Sequence, residues 1–253
     1  MRKPIIAGNW KMNKTVQEAC ILVDALKKGL SDVRDVEIVV CPPFTALRDV
    51  GKAINGTNIH LGAQNVYLEE KGPYTGEISP LMLKDLGCKY VIIGHSERRR
   101  YFGEDNELIN KKVRKSLSCG LSPILCVGER LEERKAGRQE EVVYDHVVNG
   151  LTDLSKEDMM QVVIAYEPVW AIGTGVAATP EDAQEMHKFI RNILSSLHDR
   201  DLAEGVRIQY GGSVKPENIS DLMAKSEIDG VLVGGASLNA DSFVKIVRFK
   251  RRG

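Results

Sequence analysis

The sequence predicts an α/β fold in which residues 1–253 form a single domain, a closed (β/α)8 barrel. Short apolar segments alternate with amphipathic segments eight times along the chain, and this alternation is typical of a parallel sheet with helical crossovers. Eight such units in 253 residues match the count and size of a closed barrel. Because no linker or low-complexity segment separates the units, one barrel is the expected architecture.

The strands are predicted from short runs of β-branched and other apolar residues that end at glycine, proline or a polar residue. In chain order they are 5–8, 36–40, 59–63, 90–93, 122–127, 161–166, 206–210 and 230–233. An open, doubly wound sheet is the alternative arrangement. The first strand is followed by Gly8, Asn9, Trp10 and Lys11, which lack the glycine pattern of a dinucleotide site, so the closed barrel is favoured.

The helices are predicted from apolar residues spaced three and four apart. In the first of them, Val16, Ala19, Val23, Leu26 and Leu30 share one face. In chain order the predicted helices are 15–30, 45–54, 79–86, 105–119, 138–148, 180–197, 216–224 and 241–247.

Composition excludes several classes of function. Lysine plus arginine and aspartate plus glutamate number 35 each, so no overall field attracts nucleic acid or an anionic membrane. No apolar run approaches the roughly 18 residues of a membrane span, and the start of the chain leads directly into a strand, so no signal peptide is expected. The five cysteines and five histidines show no metal-ligand spacing. We therefore expect a cytoplasmic protein with free thiols, no metal and no cofactor.

Polar and glycine-rich residues collect directly after the predicted strands, where a barrel places its active site. After the first six strands these residues are Asn9, Lys11, Gln64, Asn65, His95, Ser96, Glu97, Gly128, Glu129 and Glu167. After the last two strands come the glycine pairs Gly211-Gly212 and Gly234-Gly235, the first pair followed by Ser213. Glycines permit tight turns, but paired glycines at these two positions also let backbone N–H groups approach an anion. A phosphorylated substrate is therefore predicted.

The predicted site suits proton abstraction next to a carbonyl group. Glu167 is the candidate base, whereas His95 and Lys11 would stabilise the enediolate oxygen. A histidine at a helix start has its charged form disfavoured by the helix dipole, so a neutral His95 is expected. Glu97 is either a second proton carrier or an ion-pair partner of Lys11, and we favour the ion pair. Residues 168–178 are apolar and end in a glycine-rich stretch, which is typical of a lid and less so of a connector packed on the rim.

Seven segments of the chain resemble the triosephosphate isomerase family, in family order and over essentially the whole length. They are AGNWKMN at 7–13, GAQN at 62–65, GHSERR at 94–99, LCVGE at 125–129, AYEPVWAIGTG at 165–175, YGGSV at 210–214 and VGGASL at 233–238. The resemblance implies a TIM barrel that interconverts glyceraldehyde 3-phosphate and dihydroxyacetone phosphate in glycolysis and gluconeogenesis.

The resemblance also implies roles for individual residues. Glu167 would be the base and His95 the electrophile, with Lys11 and Asn9 positioning the substrate and Ser96 and Glu97 supporting them. Residues implied at the phosphate are Gly173, Ser213, Gly234 and Gly235.

In the resembled family the long loop at 64–80 reaches into a partner subunit. This implies a homodimer in which Thr75 lies near the other active site and Glu77 pairs with Arg98 of the second copy. Two other readings stay open at this point. A different phosphate-binding barrel enzyme, such as a sugar-phosphate epimerase, would need metal ligands or a Schiff-base lysine, and a non-catalytic barrel would not need Lys11, His95 and Glu167 together.

Overall fold

Eight parallel strands close into a barrel in the computed structural model, which describes residues 2–171 and 178–250. Each strand pairs with its neighbours in the chain, and the first strand also pairs with the last. The strands are β1 Ile5–Asn9, β2 Glu37–Cys41, β3 Ile59–Ala63, β4 Cys88–Ile93, β5 Ser122–Val127, β6 Val163–Tyr166, β7 Arg207–Tyr210 and β8 Gly230–Val233. The predicted fold class is confirmed.

The helices surround the barrel, and several of them begin at a capping side chain. Thr15 and Glu18 form a capping box at the first long helix, and Thr179 with Asp182 forms another before the longest one. The helices are α1 Val16–Leu30, α2 Phe44–Ile54, α3 Pro80–Asp85, α4 Ser96–Phe102, α5 Asn106–Ser118, α6 Leu131–Lys135, α7 Gln139–Gly150, α8 Lys156–Met159, α9 Pro180–Leu197, α10 Arg200–Gly205, α11 Ile219–Met223 and α12 Ala240–Val247. Within the described ranges, no helix has the length and apolar character needed to cross a bilayer.

Two apolar layers hold these elements together. The larger one lies between the strands and the helices, and the smaller one fills the barrel interior. The interior also contains Gln209, whose amide nitrogen donates to the carbonyl oxygens of Ile5 (3.2 Å) and Val231 (3.3 Å). Because alternate strand residues point inward, the interior is a packed core and the open ends of the barrel carry the polar groups.

The structure differs from the sequence prediction mainly at short elements. The sixth strand begins at Val163 instead of 161, because Gln161 and Val162 close the turn after α8 by donating to the carbonyl oxygens of Asp158 and Met159. Helices α4, α6, α8 and α10 were not predicted. Each has seven residues or fewer, which is too short to show a helical repeat of apolar residues.

Charged networks hold the amino-terminal end of the barrel, opposite the predicted site. Glu37 accepts hydrogen bonds from Lys89 and Tyr90, each at 2.6 Å, and pairs with Arg207. Burial raises the pKa of Glu37, but these three donors outweigh burial and lower it to about 2.

A second network at the same end is built on one buried guanidinium. Arg191 pairs with Glu227 (2.6 Å) and Asp229 (2.7 Å) and donates to the carbonyl oxygens of Ala203 and Val206. Both networks are far from the carboxyl ends of the strands and tie the chain together without approaching the predicted site.

Candidate active site

The predicted base, Glu167, lies directly after β6 with its carboxylate buried at the carboxyl end of the barrel. Its Oε1 is 2.9 Å from His95 Nε2, and its Oε2 accepts a hydrogen bond of 2.9 Å from the backbone N–H of Ser96. Burial raises the pKa of Glu167, but His95, the Ser96 N–H and Lys11 together lower it below its usual value. The carboxylate is therefore ionised and able to accept a proton.

His95 lies at the start of α4 and acts as its N-cap. Its Nδ1 accepts a hydrogen bond of 3.2 Å from the backbone N–H of Glu97, so Nδ1 carries no proton and Nε2 is the protonated nitrogen facing Glu167. Burial lowers the pKa of His95, but the Glu167 carboxylate beside it raises the pKa overall. The helix dipole, from which a neutral His95 was predicted, is only one of the influences on this ring; the acceptor role of Nδ1 fixes the neutral tautomer in this arrangement.

Lys11 follows β1 in a backbone conformation that few L-residues adopt, with a φ of 51°. Two side chains hold it there: Asn9 Oδ1 accepts the Lys11 N–H at 3.0 Å, and Gln64 Nε2 donates to the Lys11 carbonyl oxygen at 2.8 Å. A non-glycine residue in this region is strained by about 1–3 kcal/mol, and such strain is concentrated at functional sites. The Lys11 ammonium lies 2.7 Å from Glu97 Oε1, so the predicted ion pair is present.

The two glycine-rich loops lie at neighbouring strand ends, because β7 and β8 pair in the barrel. Gly234 is followed by a 3-10 turn, Gly235–Leu238, in which Ser237 Oγ donates to the Gly234 carbonyl oxygen at 2.7 Å. A methyl group at Gly234 would lie 3.7 Å from the Lys11 Cε, whereas one at Gly235 would meet no atom within 4 Å. The loop after β8 is therefore beside the Lys11 side chain and open toward it.

The structure gives fewer contacts for the other residues that were predicted in the phosphate loops, the lid and the dimer loop. Ser213 lies in the loop after β7, where its carbonyl oxygen accepts from Asn218. Gly173 and the central part of the lid, 172–177, lie outside the described residues. Thr75 and Glu77 are exposed on the loop after β3.

Arg98, the predicted cross-subunit partner of Glu77, binds within the chain. Its Nε donates to Glu104 at 2.6 Å. Its two terminal nitrogens donate to no residue among those that the structure describes.

Sequence reasoning assigned no role to a buried acid after β5. Glu129 is fully buried, and its carboxylate accepts from Tyr166 Oη (3.1 Å) and Trp170 Nε1 (2.7 Å) while Arg134 lies at 3.3 Å. Trp170 belongs to the first turn of the predicted lid, Val169–Ala171. A glutamate after a barrel strand was the available signal, but nothing in the sequence identified its three donors.

Two glycines allow the chain around Glu167 to pack closely. A methyl group at Gly128 would lie 1.8 Å from the Glu167 carbonyl oxygen, and one at Gly211 would lie 2.9 Å from the Glu167 Cγ. The Glu167 N–H also donates to the Val127 carbonyl oxygen at 2.7 Å. The base is therefore held against the ends of β5 and β7 by backbone contacts.

The arrangement combines an ionised carboxylate, a neutral imidazole N–H, an ammonium group and an open glycine loop at one end of the barrel. Among residues 2–171 and 178–250, no three His, Cys, Asp or Glu side chains are grouped so that they could hold a metal ion. These groups can move a proton next to a carbonyl and stabilise the negative oxygen that results.

Comparisons with known proteins agree with this chemistry. A family profile described as triosephosphate isomerase matches residues 4–250. The protein named triosephosphate isomerase from Thermoanaerobacter pseudethanolicus is 60% identical over 249 residues, covering 98% of this chain and 100% of the relative. The one so named from Roseiflexus castenholzii is 59% identical with 98% of each chain covered, and that from Endomicrobium trichonymphae is 57% identical with 99% and 100% covered. These matches do not favour the epimerase or the non-catalytic reading, and this chain belongs to the triosephosphate isomerase family.

Proposed function

We propose that this protein interconverts D-glyceraldehyde 3-phosphate and dihydroxyacetone phosphate by proton transfer through an enediolate. Family membership supports the substrate and the reaction. The observation that carries the chemistry is the contact of 2.9 Å between Glu167 Oε1 and His95 Nε2. It places a proton acceptor and a hydrogen-bond donor where one small molecule can reach both.

Glu167 acts as the base. It removes a proton from the carbon next to the substrate carbonyl and returns it to the former carbonyl carbon, while the hydroxyl proton passes from one oxygen to the other through His95, which converts an aldose into a ketose. Its lowered pKa keeps the carboxylate ionised at neutral pH, and burial removes the water that would otherwise solvate it. Its contacts with His95 and the Ser96 N–H order the carboxylate before substrate binds.

His95 and Lys11 stabilise the oxygen on which negative charge develops. Nε2–H of His95 donates to that oxygen, as in the established pairing of a glutamate base with a neutral histidine in this family. Lys11 contributes its positive charge, and the Asn9 side chain fixes the Lys11 backbone. Glu97 orients the ammonium group through their ion pair.

The phosphate group is bound by backbone N–H groups of the loops after β7 and β8, at Ser213, Gly234 and Gly235. The openness of the chain at Gly235 and the nearness of Gly234 to Lys11 support this assignment. Gly173 would contribute from the lid, 168–178. Closure of the lid would exclude water, which protects an enediolate from losing its neighbouring phosphate.

The assignment of His95 is tested by measuring the interconversion in the presence of a chelator for wild type and His95→Gln. Because the variant loses an aimed imidazole donor, we expect kcat to fall about 10²-fold or more. His60→Gln is the matched control, since His60 is partly exposed on β3 and distant from the site. A kcat for His95→Gln within tenfold of wild type, or a wild type inactivated by the chelator, would contradict the assignment.

We further propose a homodimer, with a second copy of this chain covering an apolar surface on the loops after β1 and β3 and on α4. Met12 is 95% exposed and Tyr74 38%, and Tyr101 and Phe102, at the end of α4, are 65% and 67% exposed. Exposed apolar side chains of this size on neighbouring segments are typical of a subunit interface. The terminal nitrogens of Arg98 are available for Glu77 of the partner, which supports the predicted pair.

Sedimentation velocity tests the dimer. We expect wild type to sediment as a dimer and Thr75→Arg to be shifted toward a monomer with lower activity, because a long charged side chain would be forced into the interface. Thr152→Arg, an exposed site after α7, is the control and should remain dimeric. Full activity in a monomeric wild type would contradict the proposal.

We also propose that residues 1–253 form one domain and that the protein works in the cytoplasm. Closure of all eight strands into a single sheet supports the first. The five cysteines, all free in the structure, support a reducing compartment.

A further inference from the structure

Arg99, on α4, contacts the backbone next to the two proposed catalytic residues. Its Nε donates to the Gly94 carbonyl oxygen at 3.0 Å, and one terminal nitrogen donates to the Cys126 carbonyl oxygen at 3.3 Å. The other terminal nitrogen donates to Asn106 Oδ1 at 2.6 Å. One guanidinium therefore joins the carboxyl end of β4 to the carboxyl end of β5.

Both carbonyl groups belong to segments that place a catalytic residue. Gly94 immediately precedes His95 and has a φ of 70°, a left-handed conformation that turns the chain out of β4 and directs its carbonyl toward Arg99. Cys126 precedes Val127, whose carbonyl oxygen accepts the N–H of Glu167. The Arg99 guanidinium therefore connects the residue before His95 to the end of β5, which binds the backbone N–H of Glu167.

The charge of Arg99 has no carboxylate within ion-pair distance among the described residues. All three of its hydrogen bonds go to neutral oxygens, two of which are backbone carbonyls. An unpaired buried cation is unfavourable, and burial lowers the pKa of Arg99. A planar guanidinium is the side chain whose fixed geometry can span two carbonyls in this way, and lysine cannot reproduce it.

From this geometry we infer that Arg99 is a positioning residue that fixes the distance between His95 Nε2 and the Glu167 carboxylate. The inference rests on the proposed roles of those two residues and adds a third that touches neither the substrate nor the reacting atoms. A displacement of about 1 Å at a reacting group lowers the rate about 10²-fold. Removing the Arg99 hydrogen bonds to β4 and β5 should therefore reduce kcat while leaving substrate binding through the phosphate loops unchanged.

The surroundings of Arg99 make the test practical. Arg99 lines a cavity of about 790 Å³ together with Gly94, Asn106, Cys126 and His146. A shorter side chain would extend an existing cavity that already has polar groups in its lining, which water can enter, instead of leaving a void in an apolar core. We therefore expect Arg99→Gln and Arg99→Lys to fold.

The experiment measures kcat and KM per folded molecule for Arg99→Gln and Arg99→Lys. We expect kcat to fall about 10²-fold in Arg99→Gln and about tenfold in Arg99→Lys, which restores one donor and the charge, with KM within about twofold of wild type in both. Asn106→Ala removes the third contact, together with the Asn106–Asp145 hydrogen bond, and leaves both carbonyl bonds, so its kcat should lie closer to wild type than that of either arginine variant.

Arg191→Gln and Arg191→Lys are matched controls. Arg191 is likewise an arginine that donates to backbone carbonyl oxygens, three in its case, but it is buried at the opposite end of the barrel. We expect these variants to lose thermal stability and keep kcat per folded molecule. A normal kcat in folded Arg99→Gln, or equal losses of kcat in the Arg99 and Arg191 variants, would overturn the inference. Neither result would affect the assignment of Glu167 as the base, which its own substitution tests.

Discussion

Replacing Glu167 by glutamine is expected to lower kcat by about 10³-fold or more, with KM within about threefold of wild type. Glutamine has nearly the same shape and can still accept the Ser96 N–H through its amide oxygen, so the barrel should fold normally. An amide cannot take a proton from carbon, so the step that forms the enediolate loses its base. Steady-state kinetics in both directions, with the coupling enzymes in excess, measure the loss.

Glu37→Gln is the matched control for this substitution. Glu37 is also an ionised carboxylate held by several donors, but it is only partly buried and lies at the amino-terminal end of the barrel. We expect the control to lower thermal stability and to leave kcat per folded molecule within about twofold of wild type. A Glu167→Gln variant that retained a tenth or more of the wild-type kcat would contradict the role of Glu167 as the base.

The barrel and its functional end were predictable because they depend on local patterns. Eight alternations of apolar runs and amphipathic segments define a parallel barrel, and in such a barrel the carboxyl ends of the strands meet at one edge. Residues such as Lys11, His95 and Glu167 are far apart in sequence, yet each comes directly after a predicted strand. Those positions, together with the resemblance of the surrounding segments to a known family, assigned the three residues to one site.

What the sequence did not reveal depends on distances between strands. The contact of Oε1 of Glu167 with His95, the strained backbone of Lys11 and the burial of Glu129 under Trp170 all arise when β1, β4, β5 and β6 are brought together. The pKa of His95 could not be predicted from the sequence for the same reason. A helix dipole acts within one turn and can be inferred locally, whereas the opposing carboxylate comes from a residue on a different strand.

Arg99 shows why positioning residues are harder to identify than catalytic ones. In the sequence it is one of three successive arginines, Arg98 to Arg100, and such a run usually forms a solvated face. The structure separates the three: Arg98 pairs with Glu104, Arg100 lies over the Tyr101 ring, and Arg99 turns inward to two carbonyl oxygens. Only the closed barrel brings Gly94 and Cys126 near enough for one side chain to bind both.

Gly128→Ala should also have a large effect on catalysis, through the backbone of Glu167. The added methyl group would lie 1.8 Å from the Glu167 carbonyl oxygen, whereas a carbon and an oxygen in contact need about 3.3 Å. The backbone of Glu167 must therefore move by more than about 1 Å, which is expected to lower kcat about 10²-fold. The free energy of unfolding should also fall, by about 1–3 kcal/mol, because the site is overpacked.

Gly230→Ala separates the effect on catalysis from the effect on stability. A methyl group at Gly230 would lie 1.9 Å from the Ile5 carbonyl oxygen, so the clash is nearly the same but lies at the amino-terminal end of β8. Denaturant unfolding and active-site-normalised kinetics of both variants should give similar losses of stability and a loss of kcat only in Gly128→Ala. Equal kcat values for the two folded variants would mean that the close approach at Gly128 serves packing alone. A selective loss would show that the glycine is required because the base must sit closer to β5 than any side chain permits.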